Sequence, residues 1–237
     1  MDRAAPQPGR PLDRHNVAAV IPAYCEAAHV RDVAERVRAQ LDRVLVIDDG
    51  STDETAAQAR EGGAEVVRHA QNLGKGESIK TGLRHWLGCE EIEFIILLDA
   101  DGQHLPEEIG RFFDAAAETE ADLYVGTRMS DVREMPFVRR AVNRYMSHRI
   151  SRVCGQEVPD TQCGYRMVAR RLAPHLLQGT SRFDYETEML IVASWQGFRI
   201  ASVPISTIYS DETSSIHPLR DTIRFFQLMR RYEKTAN

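Results

Sequence analysis

Phe94-Ile95-Ile96-Leu97-Leu98 is an unbroken apolar run, and Asp99-Ala100-Asp101-Gly102-Gln103-His104 follows it directly. A strand that is apolar on both sides must be covered on both faces, which is the condition of a parallel sheet flanked by helices. Val17 to Ile21, Val44 to Ile47, Glu65 to Val67 and Leu123 to Val125 read as further strands, with segments of helical period between them. Asp53 can cap a helix over Glu54 to Arg60 that ends at Gly62-Gly63, and Pro106 with Glu107 and Glu108 opens another towards Glu120. The first half is therefore expected to be a doubly wound α/β unit. Beyond residue 130 the alternation gives way to a basic helix, a short strand near Cys163 to Val168, a helix around Tyr185 to Trp195, a strand-like stretch from Arg199 to Tyr209 and a last helix from about Pro218 to Tyr232.

The chain has 237 residues, 43% of them hydrophobic and 27% charged, enough for a substantial core. With a mean hydropathy of −0.38 and no apolar run longer than five residues, nothing approaches the roughly 20 residues of a membrane span. Thirty-five acids against 30 bases leave a net charge of −5, so no general field draws nucleic acid. Cys25, Cys89, Cys154 and Cys163 form neither a CxxC nor a zinc spacing, which suits a reducing, cytoplasmic compartment. Residues 1–15, rich in proline and charge, read as a flexible arm. No linker composition divides the rest, so 16–237 is expected to be one domain, with a nucleotide-binding half over 16–128 and an acceptor half over 129–237.

In open parallel sheets the ligand crevice lies beyond the carboxyl ends of the strands. Asp48-Asp49-Gly50-Ser51-Thr52-Asp53 follows the second strand, as Asp99 to His104 follows the fourth. This spacing puts Asp48 and the Asp99/Asp101 pair on one rim, where two carboxylates can share a hard divalent ion that keeps positions open for phosphates, Mg²⁺ or Mn²⁺. Single acids in such turns more often cap helices. An EF-hand loop beginning at Asp99 fails, because its sixth and twelfth positions are His104 and Gly110. Asn72 to Ser78 lacks the upstream glycine of a P-loop, and Ile79 stands where a dinucleotide fingerprint needs its third glycine.

Taken in order, Ile21-Pro22-Ala23-Tyr24-Cys25-Glu26, Asp48 to Asp53, Asn72-Leu73-Gly74-Lys75-Gly76, Asp99 to His104, Gly126-Thr127-Arg128 and Asp160-Thr161-Gln162-Cys163-Gly164-Tyr165-Arg166 resemble the family 2 glycosyltransferases. The nearest branch is similar to the polyprenyl-phosphate sugar transferases, and the likeness runs from about Val17 to Asp221. It implies a GT-A fold, a Rossmann-like mostly parallel sheet with helices on both faces and a variable C-terminal half. It also implies a nucleotide-sugar donor, a divalent metal and inverting transfer to a polyprenyl phosphate or, alternatively, a glycan hydroxyl. Carried over by position, Pro22, Tyr24, Glu26 and Asp48 line the nucleoside pocket, and Asp99, Asp101 and Gln103 take the metal and diphosphate. Lys75, Arg128 and Arg139 belong to the substrate-binding set. Cys25 stands where the family has asparagine.

A metal and arginines can stabilise a leaving diphosphate without proton transfer, so Asp101 and Arg128 are expected to act in catalysis. A lipid phosphate is already an anion and needs no base. A hydroxyl acceptor does need one, and Asp160, Glu186 and Glu188 are the candidates. In the loop Tyr209 to His217 the lipid-phosphate mannosyltransferases carry arginine and lysine; here His217 is expected to reach the metal or diphosphate when that loop closes.

Phe137 to Val153 holds five arginines and no acid. Val138, Val142, Met146, Ile150 and Val153 make one face, and Arg140, Arg144, Ser147 and Ser151 the other. Such a helix either packs its stripe on the sheet or rests on an anionic membrane surface, making the protein peripheral on the inner face. Two rival classes carry weaker signals. A sugar-phosphate nucleotidyltransferase needs a glycine-rich loop that Ala23 to Ala28 lacks, and a non-catalytic nucleotide-sugar-binding module has no need of the Asp99/Asp101 pair.

Overall fold

A computed structural model describes residues 11–127, 137–158, 160–178 and 185–206, with the side chains of 137–144 excepted. Seven strands are present: β1 (Val17–Ala23), β2 (Arg43–Asp48), β3 (Glu65–Arg68), β4 (Phe94–Leu97), β5 (Leu123–Thr127), β6 (Arg166–Ala169) and β7 (Ile200–Pro204). Six helices accompany them: α1 (Val30–Gln40), α2 (Thr55–Glu61), α3 (Lys75–Leu87), α4 (Ile109–Glu118), α5 (Phe137–Cys154) and α6 (Tyr185–Trp195). Short 3₁₀ turns at Pro106–Glu108 and Ala173–Leu177 complete the described elements.

The strands form one sheet in the order β3-β2-β1-β4-β6-β5-β7. β1 is buried throughout except at Pro22, and β2 except at Arg43. These two pair in parallel, as do β1 with β4 and β2 with β3, which accounts for the continuous apolar runs. The fold is mixed α/β with a mostly parallel sheet. β6 runs antiparallel between β4 and β5, while β5 and β7 are parallel. α3 packs on β1, β2 and β4, α1 and α2 pack together against β2, and α4 and α6 lie against β7.

Arg170, just past β6, donates to the carbonyls of Trp86, Leu87 and Cys89 at 3.1, 2.7 and 2.6 Å. It thereby satisfies the carbonyls that the end of α3 leaves open and sets a positive charge at the negative pole of the helix. The antiparallel strand is in this way locked to the parallel half.

The structure corrects several expectations. The strand near Cys163 begins only at Arg166, because Thr161 and Cys163 turn their carbonyls onto the Arg166 side chain. Asp53 is not a simple cap of α2: one oxygen accepts from the amide and hydroxyl of Thr55, the other from the Ala27 amide. Residues 11–15 are fastened to the fold, with the Asp42 amide donating to the Arg14 carbonyl and the Asn16 side chain donating to the Pro11 carbonyl, 3.1 Å in each case. In α5, Ser147 is buried and the Ser151 hydroxyl accepts from the Val158 amide at 2.9 Å, so these two positions of the expected polar face turn towards the protein. Ile150 is fully buried, and Met146 and Val153 pack against the core, while the side chains of Val138 and Val142 lie outside the described residues. Among the described residues no helix is long and apolar enough to cross a membrane. The last helix, expected at 218–232, lies outside the described residues.

Candidate active site

β2 and β4 flank β1 with the same direction, so the acids after both strands meet at one end of the sheet. The segment after β1 joins them there. Cys25 donates its amide to the Ser51 hydroxyl at 2.9 Å, and Glu26 donates to the Thr55 hydroxyl at 2.8 Å. Side chains of the 48–55 loop thus hold residues 25–27 in place. Tyr24 is left with 48% of its surface exposed at the rim. Pro22 and Glu26 are partly buried beside it.

Most of the Asp48 to Asp53 cluster is occupied with building the loop. Asp48 is fully buried; one oxygen accepts from the Ser51 amide at 2.8 Å, and the other lies 3.2 Å from the Arg68 guanidinium without a hydrogen bond. Asp49 organises the next loop. It accepts from the amides of Leu73 and Gly74 at 2.9 and 2.7 Å and contacts the His69 ring at 2.7 Å. Gly50 has a φ of +75°, and a Cβ there would stand 2.6 Å from the Gln71 carbonyl carbon, so only glycine lets the two loops close together.

That closure sets Lys75 at the start of α3. Its ammonium lies 2.6 Å from Asp99 Oδ1 and 2.7 Å from Glu186 Oε1. Burial pulls the lysine pKa down, but the two carboxylates outweigh it and hold the ammonium well above its ordinary range. Asp101 moves the other way for an acid: burial, then the charge of Asp99, raises its pKa, although one oxygen accepts from the Gln103 amide at 3.0 Å. Two desolvated carboxylates whose charges oppose each other form a place that a cation relieves. Among the described residues no cluster of three or more acidic, imidazole or thiol groups could hold a metal. A pair is nevertheless sufficient for Mg²⁺, which typically takes one or two carboxylates and fills its remaining positions with water and substrate phosphates.

The far wall comes from the second half of the chain. Arg166 is wholly buried and donates to the carbonyls of Cys163, Thr161 and Glu186 at 2.9, 3.1 and 2.5 Å. It ties the 161–163 turn to the first turn of α6 and so aims Glu186 at Asp99. Of the three candidate bases, Asp160 and Glu188 are buried, at 0% and 2% exposure, whereas the Glu186 side chain is 14% exposed beside Asp99. The described geometry brings Asp99, Asp101, Lys75 and Glu186 together, with Tyr24, Glu26 and Asp48 along the same rim. Arg128, His217 and the side chain of Arg139 lie outside the described residues.

Sequence reasoning gave no role to His104 or Arg166. His104 is buried, stacks on Tyr165 at 5.0 Å between ring centroids and has Nδ1 3.4 Å from the Asp99 amide. The Tyr165 hydroxyl donates to the Leu105 carbonyl at 3.2 Å, so the two rings support the Asp99 to Leu105 loop from beneath. For Arg166 the available signal was an arginine opening a strand that is otherwise apolar.

The model of Glycosyl transferase family 2 matches residues 18–177, more than half of the chain, and the chain belongs to that family. Glycosyltransferase AglJ of Haloferax volcanii is 30% identical over 228 residues, covering 93% of this chain and 73% of the relative. A UDP-N-acetylglucosamine–dolichyl-phosphate N-acetylglucosaminyltransferase of Methanococcus voltae is 29% identical, covering 81% and 85%. Polyprenol monophosphomannose synthase of Mycolicibacterium smegmatis is 28% identical, covering 83% and 78%. Among solved structures, glucosyl-3-phosphoglycerate synthase of Mycobacterium tuberculosis in complex with Mn²⁺, UDP and phosphoglyceric acid superposes with a TM-score of 0.69 at 18% identity, covering 93% of this chain and 78% of that one. The fold is GT-A, and the protein is a family 2 glycosyltransferase.

Proposed function

We propose that this protein moves a sugar from a nucleotide-sugar donor, carried on UDP or GDP, to a polyprenyl phosphate with inversion at the sugar. The observation that carries the reading is the Asp99/Asp101 pair at the end of β4, facing Lys75 and sharing its rim with Tyr24 and Glu26. The relatives named as a dolichyl-phosphate N-acetylglucosaminyltransferase and a polyprenol monophosphomannose synthase support the acceptor class.

In this reading the half-exposed Tyr24 offers its ring to the nucleobase, and the buried Asp48 holds the loop that borders the pocket through the Ser51 amide. Asp99 and Asp101, with Gln103 beside them, would hold Mg²⁺ or Mn²⁺, whose charge when bound offsets that of the leaving diphosphate. Lys75 supplies a buried positive charge next to the same phosphates. The acceptor phosphate is already ionised near neutrality, so no side chain has to remove a proton. Residues 16–128 form the donor half and 129–237 the acceptor half.

A second reading, transfer to a hydroxyl, is favoured by one observation: Glu186 is the candidate base that opens beside Asp99. The test for both is nucleoside diphosphate release from a panel of UDP- and GDP-sugars with Mn²⁺ or Mg²⁺, with and without a short polyprenyl phosphate, against an Asp101→Ala control. Release requiring metal and lipid together is the expected result. Release indifferent to lipid would move the acceptor to a hydroxyl, and metal-dependent donor binding without turnover would leave only a binding module.

A further inference from the structure

We propose that Lys75 is a resident counter-cation on Asp99 that the divalent ion must displace, and that Glu186 is the anchor that keeps the displaced ammonium beside the diphosphate. The inference rests on the reading of Asp99 and Asp101 as the metal-holding pair, and it makes Glu186 a positioning residue acting through Lys75.

Three observations carry it. First, the ammonium sits at 2.6 Å from Asp99 and 2.7 Å from Glu186, so it already takes a carboxylate oxygen that a metal would need and has a second anion within reach if it leaves the first. Secondly, Lys75 is the first residue of α3, where the positive pole of the helix opposes a cation. Neither the helix dipole nor capping favours a lysine at this position; the facing carboxylates do. Thirdly, Gly164 makes the meeting possible. A Cβ at this position would stand 2.8 Å from Asp99 Oδ2 and 3.0 Å from Glu186 Oε1, inside contact distance of both acids.

The charges agree with an exchange. In formal charge, Asp99, Asp101 and Glu186 against Lys75 leave two negative charges, which one divalent ion neutralises. With Asp99 given up to the ion, the ammonium remains paired with Glu186 and is free to turn towards the phosphate oxygens of the donor. An isolated lysine would have to be released to water. Glu186 lowers the cost of the exchange by keeping a partner in place throughout.

The test is Mn²⁺ binding to the full chain without nucleotide or acceptor, followed by the free-ion paramagnetic resonance signal, with thermal melting to verify folding. Lys75→Met and Lys75→Gln are expected to bind Mn²⁺ about tenfold more tightly than the wild type, because a like charge beside the ion is gone. Lys75→Arg, which keeps the charge, is expected to stay close to the wild type. Glu186→Gln is expected to weaken Mn²⁺ binding more in the wild-type background than in Lys75→Met, since only the former needs the anchor. Unchanged or weaker Mn²⁺ binding in Lys75→Met and Lys75→Gln would overturn the inference, as would equal effects of Glu186→Gln in both backgrounds. Tighter binding in the lysine variants with no sugar transfer to any acceptor would sustain the exchange and count against the transfer reading alone. Metal-dependent transfer by the wild type without tighter binding in the variants would do the reverse.

Discussion

Gly164 lies against Asp99 so closely that a methyl group at its Cβ position would stand 2.8 Å from Asp99 Oδ2, and 3.0 Å from Glu186 Oε1. The neighbours are the ends of two acidic side chains, which can swing away, so folding tolerates the change while the geometry of the site does not. Gly164→Ala is expected to lower kcat/KM by about a hundredfold, the scale of a misplacement of about 1 Å. Its melting temperature should stay within about 3 °C of the wild type. A variant with normal kinetics would show that the two carboxylates need not approach this turn.

Gly82 gives the opposite pattern. It is buried in α3, and a Cβ there would stand 2.4 and 2.6 Å from the two methyl carbons of Val20 in β1. Alanine gains about 1 kcal/mol in helix propensity, but overpacking against the central strand costs about 1–3 kcal/mol or somewhat more. Gly82→Ala is therefore expected to destabilise by up to about 2 kcal/mol in urea unfolding. Combined with Val20→Ala, it should cost less than the two single changes added together, because each relieves the other.

Cys25 adopts a φ of 57° in the left-handed region, where a side chain other than Asn, Asp or Gly is strained. Its thiol is exposed and makes one weak contact, 3.7 Å to the Thr52 hydroxyl. Cys25→Asn is expected to stabilise the protein by about 0.5–1 kcal/mol, and Cys25→Val to destabilise it by a similar amount, read from denaturant midpoints.

Arg36 in α1 grips Glu107 with two nitrogens, at 2.9 and 2.7 Å, and so braces the helix start beyond the Asp99 to Leu105 loop. The hydrogen bonds from Arg36 hold the Glu107 carboxyl below its ordinary value. A depressed folded-state pKa means that the pair stabilises the fold above the unfolded value and that this stabilisation is lost as pH falls through the folded one. The Glu107 side chain is 52% exposed, so solvent screening keeps the contribution well below about 1 kcal/mol. The stability difference between wild type and Glu107→Gln should be constant above about pH 5.5 and shrink steadily as the pH is lowered below about 4.5. A difference that persists at about pH 2 would mean that packing, not charge, joins α1 to this turn.

How much of this was legible in the residues follows from what each kind of signal encodes. β1, β2, β4 and β5 stand where their apolar runs placed them, and α6 spans Tyr185–Trp195 as its pattern indicated. The Asp99/Asp101 pair was visible because it directly follows a buried strand. Less visible was the work of the second acidic cluster. Asp49, Ser51, Asp53 and Thr55 spend their hydrogen bonds on neighbouring loops, and spacing does not distinguish an acid that binds a ligand from one that holds a turn.

By itself the sequence determined the alternation of strands and helices, the parallel character of the first half, the acidic rim and the family, because these depend on local periodicity and on residues adjacent in the chain. Only the tertiary structure decided that β6 enters antiparallel between β4 and β5, that Arg166 is buried on three carbonyls, and that Lys75 meets Asp99 and Glu186 around Gly164. An apolar strand reads the same in either direction, and a charged side chain carries no record of its partner. Both are settled when the sheet closes and each buried charge must find its opposite.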